Sequence, residues 1–95
     1  MRLSELEPTF RRWAPNGLGK ANAIADAQGI LFLCPACLNK DGHSLLVWFD
    51  ERGVPAEALP APRWKVTGNS FEDLSLTPSV NAGCWHGFVT NGQIA

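Results

Sequence analysis

The chain has 95 residues, 45% of them apolar and 18% charged, with 8 basic and 9 acidic residues for a formal net charge of −1. That length supports one small core and excludes a second, and four Trp with five Phe argue against disorder along the whole length. A near-neutral balance excludes a strongly basic nucleic-acid surface.

The elements follow in chain order. Ser4 stands three residues before Glu7 in capping-box spacing, but Pro8 stops any helix there. Residues 15–19 read as a loop. Residues 21–27 have the only helix-friendly composition, too short and too broken by Asn22 and Asp26 to stand alone. Residues 1–28 are therefore expected to be an irregular N-terminal segment, and residues 29–95 a β core. Ile30-Leu31-Phe32-Leu33 is a buried strand running into Cys34. Leu45-Leu46-Val47-Trp48-Phe49 is a second, closed by Asp50-Glu51-Arg52-Gly53. Residues 54–62, with Pro55, Pro60 and Pro62, read as an exposed loop. Arg63-Trp64-Lys65-Val66-Thr67 and Leu74-Ser75-Leu76-Thr77 alternate as half-buried strands do, with Pro78 ending the latter or marking an edge. Residues 85–89 run into Asn91-Gly92, a strong hairpin signal, and only a stub follows it. Five or six short strands and little helix predict a single, mainly β domain: a small antiparallel, zinc-ribbon-like meander.

Three cysteines cannot complete an intramolecular disulfide framework. The first twelve residues hold five charges and no apolar run of signal-peptide length. The longest apolar stretches, residues 30–34 and 45–49, fall far short of the roughly 20 residues that span a membrane. A cytoplasmic protein is the expectation, and in that reducing setting Cys-x-x-Cys points to metal or redox chemistry.

Cys34-Pro35-Ala36-Cys37 is such a pair, and its tight turn brings two thiolates to one side. Cys84-Trp85-His86 offers a second pair, because residues i and i+2 of an extended strand share a face. Cys34, Cys37, Cys84 and His86 are thus the expected ligands of a closed, structural Zn²⁺ site, with His43 as the alternative fourth ligand. The redox reading is weaker, since no helix follows Cys37. A metal also suits the size, because small domains with long loops often need a staple.

No catalytic residues are expected. The chain has no His-Glu-x-x-His and no Gly-x-Ser-x-Gly, and Leu33 rather than Pro precedes Cys34. If His43 ligates in place of His86, His86 becomes free to act as a base, although nothing in the pattern selects that reading. Trp64, flanked by Arg63 and Lys65, is the aromatic most suited to stacking on a base. The remaining aromatics read as core, and the neutral charge makes nucleic acid an unfavoured partner.

Cys-Pro-x-Cys with Gly42-His43, then Arg63-Trp64, Leu74 to Ser79 and the closing Cys84-Trp85-His86-Gly87-Phe88-Val89 through Asn91-Gly92, resembles a family of small phage and prophage proteins. That family is grouped as a domain of unknown function with expected zinc ligands, and the opening Met1 to Leu6 is similar to its start. The resemblance implies a zinc-binding protein of phage or prophage origin, and with the missing catalytic motifs it leads to the expectation of a non-enzymatic protein, cytoplasmic in the host cell. It would act by contact with a host or phage protein, inhibition of a host defence enzyme being the first form to test. A nucleic-acid-binding zinc ribbon is the alternative, and a small zinc-dependent hydrolase the third reading.

Overall fold

The computed structural model describes residues 1–38, 40, 42–60 and 62–95 and places its strands in two four-stranded antiparallel sheets. The first holds β1 (Thr9–Ala14), β2 (Gly17–Ala21), β3 (Gly29–Leu33) and β4 (Ser44–Trp48) in the order β2-β1-β3-β4. The second holds β5 (Lys65–Thr67), β6 (Ser75–Asn81), β7 (His86–Thr90) and β8 (Gln93–Ile94) in sequential order. Among the described residues, helix is confined to two 3-10 turns, Leu3–Leu6 and Ile24–Asp26. The mainly β expectation therefore holds. Only the second sheet is a meander, since β1 sits between β2 and β3 in the first. Among the described residues, no helix is long and apolar enough to cross a membrane.

The irregular N-terminal segment is corrected. Ala14 pairs with Gly17 across a two-residue turn, so residues 9–21 form a hairpin whose Pro, Asn and Gly content resembles a loop. Phe10 is its inward anchor, stacked on Phe71 with ring centroids 4.3 Å apart. The cap of the first 3-10 turn is Arg2 rather than Ser4: Glu5 Oε1 accepts the Arg2 N–H at 2.7 Å. The expected strands at residues 30–33, 45–49, 63–67 and 85–89 appear with ends shifted by a residue or two. The fourth expected strand does not stop at Pro78. β6 continues to Asn81 because the β6–β7 ladder is interrupted there, where a missing N–H costs little.

One apolar cluster takes side chains from both sheets. Ile30, Phe32 and Val47 meet Leu76, Val80 and Val89, with Leu3 and Leu6 closing one side. β7 shows the cleanest alternation: Gly87 and Val89 are buried, while His86, Phe88 and Thr90 face outward. The C-terminal stub is not a bare edge, because Arg2 bridges Gln93 and the Ile94 N–H donates to the Met1 carbonyl at 2.8 Å.

Asn91 (φ 48°) and Gly92 (φ 73°) form the turn that returns β7 to β8. A Cβ at Gly92 would collide with the Glu72 carbonyl oxygen, so backbone angle and contact both demand glycine. Gly92→Ala should lower stability by about 2 kcal/mol or more, read from urea melts.

Candidate metal centre and a serine–histidine pair

β3 ends at Leu33 and Cys34 follows immediately, its N–H donating to the His43 carbonyl at 2.9 Å. The β3–β4 register pairs Leu33 with Ser44, so Cys34 and His43 are the next facing pair of the same hairpin. The chain then turns tightly, with the Cys37 N–H on the Cys34 carbonyl and the Lys40 and Gly42 N–H groups both on the Cys37 carbonyl. This returns Cys37 beneath Cys34 and leaves both buried. Cys84 comes from the other sheet, in the β6–β7 connection. There the Ala82 N–H meets the Trp85 carbonyl, and Gly83 (φ 83°) donates to Asn81 Oδ1. Trp85 sets its ring edge-on to Phe32 of β3, which carries the connection onto the first sheet.

Cys34, Cys37, His43 and Cys84 consequently offer donor atoms that all lie within 4.8 Å of one another, an arrangement consistent with a metal site. Cys84 Sγ is 3.2 Å from Cys34 Sγ and 3.2 Å from His43 Nε2. The donor chemistry fits a divalent ion. Cys34 sits below the ordinary thiol range: burial alone would raise it, but hydrogen bonding from Cys84, the Ala36 backbone and Cys37, with the charge of His43, outweighs burial. Burial together with the neighbouring sulfurs pushes Cys37 up to about 12. Three sulfurs this close resist ionising together, and a bound cation removes that repulsion.

His86, expected beside Cys84, is not among the four. The i, i+2 argument requires both residues on one strand, but β7 begins at His86 and Cys84 lies in the turn before it. The outward face of β7 carries His86 to Ser79 instead, with Nε2 2.9 Å from Ser79 Oγ. Ser79 reaches it through the irregularity in β6. Between the pairs Leu76–Val89 and Val80–Gly87, three β6 residues (Thr77, Pro78 and Ser79) stand against Phe88 alone. Trp64 does not offer a stacking face, being 6% exposed with its indole N–H on the Ser79 carbonyl. Arg63 is engaged with the carbonyls of Pro55, Ala58, Pro60 and Pro62, and Lys65 is exposed.

A family model described as "Bacterial ubiquitination-like system serine protease (BubE)" matches residues 10–95. No curated protein and no solved structure matches the chain. The family description overturns the expectation of a non-enzymatic protein, since it names an enzyme. The Ser79–His86 pair is what sequence reading missed. His86 as a base is within reach of the pattern once His43 takes the ligand place, but its serine partner depends on a local ladder irregularity that no spacing announces.

Cobalt(II) added to metal-stripped protein should produce thiolate charge-transfer absorption. His43→Ala should weaken binding at least about tenfold, whereas His86→Ala should leave it unchanged. Optical titration of the three proteins measures this.

Proposed function

The chain belongs to the family of bacterial ubiquitination-like system serine proteases, and on that premise we propose that it is a serine peptidase with Ser79 as nucleophile and His86 as general base. The observation that carries this reading is the 2.9 Å separation of Ser79 Oγ and His86 Nε2. It is the reach that a nucleophile–base pair requires. With the imidazole proton on Nδ1, Nε2 accepts the Ser79 hydroxyl proton as Oγ adds to the substrate carbonyl. The protonated ring then delivers that proton to the leaving amine, and water releases the acyl group by the same exchange. The two residues sit on neighbouring strands of one sheet, and His86 is exposed, so a polypeptide can reach them. The family description supports protein substrates and partners from the same bacterial system.

The cysteine cluster has a different task in this reading. Cys34, Cys37, His43 and Cys84 hold a structural Zn²⁺, the ion best suited to a tetrahedral Cys₃His set. Four protein donors leave no open position for a reacting water, which speaks for a staple and against the zinc-hydrolase alternative.

A fluorophosphonate should label Ser79 alone, located by mass spectrometry, and Ser79→Ala should abolish labelling. His86→Gln should slow it by roughly 10³-fold or more, with zinc content and fold retained. Labelling elsewhere, or an unchanged rate in His86→Gln, would sink the assignment. Protein purified without added metal should carry close to one zinc per chain. Cys84→Ser should lose that zinc and lower the melting temperature, followed by calorimetry.

A further inference from the structure

A groove of about 390 Å³ is lined by residues of both sheets. Leu46 and Val47 of β4 form one wall, Val80, Asn81 and Ala82 form the other, and Trp64 lines it between them. No described lining residue carries a charge.

Both walls are strand edges with polar backbone to offer. The Trp48 carbonyl accepts the Trp64 N–H at 3.0 Å on the groove side of β4, while the Phe49 N–H donates to the Gln28 carbonyl on the β3 side. N–H and C=O of one residue point the same way in an antiparallel ladder and alternate along the strand. Leu45 and Val47 therefore turn their backbone groups to β3, and Ser44 and Leu46 turn theirs into the groove. Across it, β5 covers β6 only from Ser75 to Thr77, so the edge beyond Thr77 also faces the space. Val80 and Asn81 directly follow Ser79, Trp64 donates its indole N–H to the Ser79 carbonyl, and Asn81 is the cross-strand partner of His86, so the groove borders the backbone that carries the serine–histidine pair.

We propose that this groove binds an extended, uncharged stretch of the substrate polypeptide, the residues preceding the scissile bond, as an added strand on the edge of β4. This rests on the reading of Ser79 as nucleophile. The stretch from Ser44 to Val47 spans about 13 Å, which sets the length at about four residues. Main-chain pairing with Leu46 supplies binding that is independent of side-chain identity, and the uncharged walls select against Asp, Glu, Lys and Arg. The acyl half of the substrate stays attached to serine until water releases it, so a groove holding that half serves both steps.

The test compares labelling of Ser79 in the full chain by a diphenyl phosphonate bearing a tetra-alanine arm and by the same phosphonate without an arm. The arm should accelerate labelling at least tenfold, and two Asp in the arm should remove most of that gain. In Leu46→Pro, which deletes the groove-facing N–H, the ratio of armed to bare rates should fall to near one. Ala82→Leu, which narrows the opposite wall, should lower the same ratio and stands in if the proline variant does not fold. Equal rates for armed and bare reagents, equal rates for neutral and acidic arms, or a ratio unmoved by both variants would each overturn the groove assignment while leaving Ser79 as nucleophile. Failure of the bare phosphonate to label Ser79 in wild-type protein would overturn the peptidase reading and this one together.

Discussion

Three sulfurs and an imidazole drawn within 4.8 Å of one another form the constraint around which the rest of the molecule is arranged. Cys34, Cys37 and His43 belong to the end of the β3–β4 hairpin, and Cys84 belongs to the β6–β7 connection, so the cluster joins one sheet to the other. An apolar core of this size buries a modest area, and the two sheets share it without continuous pairing between them. Among the described residues, the isolated bridge between Phe49 and Trp64 is the point where strand-like pairing crosses from sheet to sheet. At the opposite end of β4 the cysteine cluster brings the two sheets together through side chains, and the crowding of its sulfurs together with burial raises Cys37.

That same connection governs the serine–histidine pair. Residues 82–85 link Asn81 to His86, and these two are cross-strand partners. Anything that displaces Cys84 therefore acts on the turn that sets how β7 lies against β6. Ser79 is held from the other direction, by the Trp64 indole on its carbonyl and by Val80, which is anchored in the core directly after it. A side chain on a ladder irregularity gains an orientation that a regular strand would deny it, and the neighbouring core residues keep that irregularity in place. The cysteine cluster and the serine–histidine pair are separate groups of side chains in this arrangement, and Cys84 stands two residues before His86.

The sheet residues were legible where apolar runs alternate or end at strong turns. Ile30 to Leu33, Leu45 to Phe49 and the Asn91-Gly92 turn follow from pattern alone. The β1–β2 hairpin was not, because its two-residue turn and glycine-containing return strand have the composition of a loop, and its inward anchoring depends on Phe71, far away in sequence. In the cluster the three cysteines were readable from spacing, and the histidine was decided by register. His43 faces Cys34 one step beyond the last β3–β4 pair, which requires knowing where that hairpin closes. His86 looked stronger only under the assumption that Cys84 was already in a strand, and Gly83 with its positive φ breaks that assumption. The Ser79–His86 approach was the least legible feature, since it needs a two-residue register shift that leaves no mark in composition.

The residues that most suggested a nucleic-acid patch have a use that explains both their position and their failure to form one. Arg63 spends its guanidinium on the carbonyls of Pro55, Ala58, Pro60 and Pro62, and this gathers the proline-rich segment around it. Trp48 adds its indole N–H to the Leu59 carbonyl from beneath. Pro60, Pro62 and Trp64 then line the groove, with the basic head of Arg63 satisfied by backbone oxygens. A phosphate would have to displace several charge-assisted hydrogen bonds to engage that guanidinium, whereas an uncharged polypeptide strand would meet uncharged walls and strand-edge backbone groups. The near-neutral composition agrees with that: a groove that took up main chain would gain little from long-range charge, and its selectivity would lie in edge geometry and in what the walls refuse.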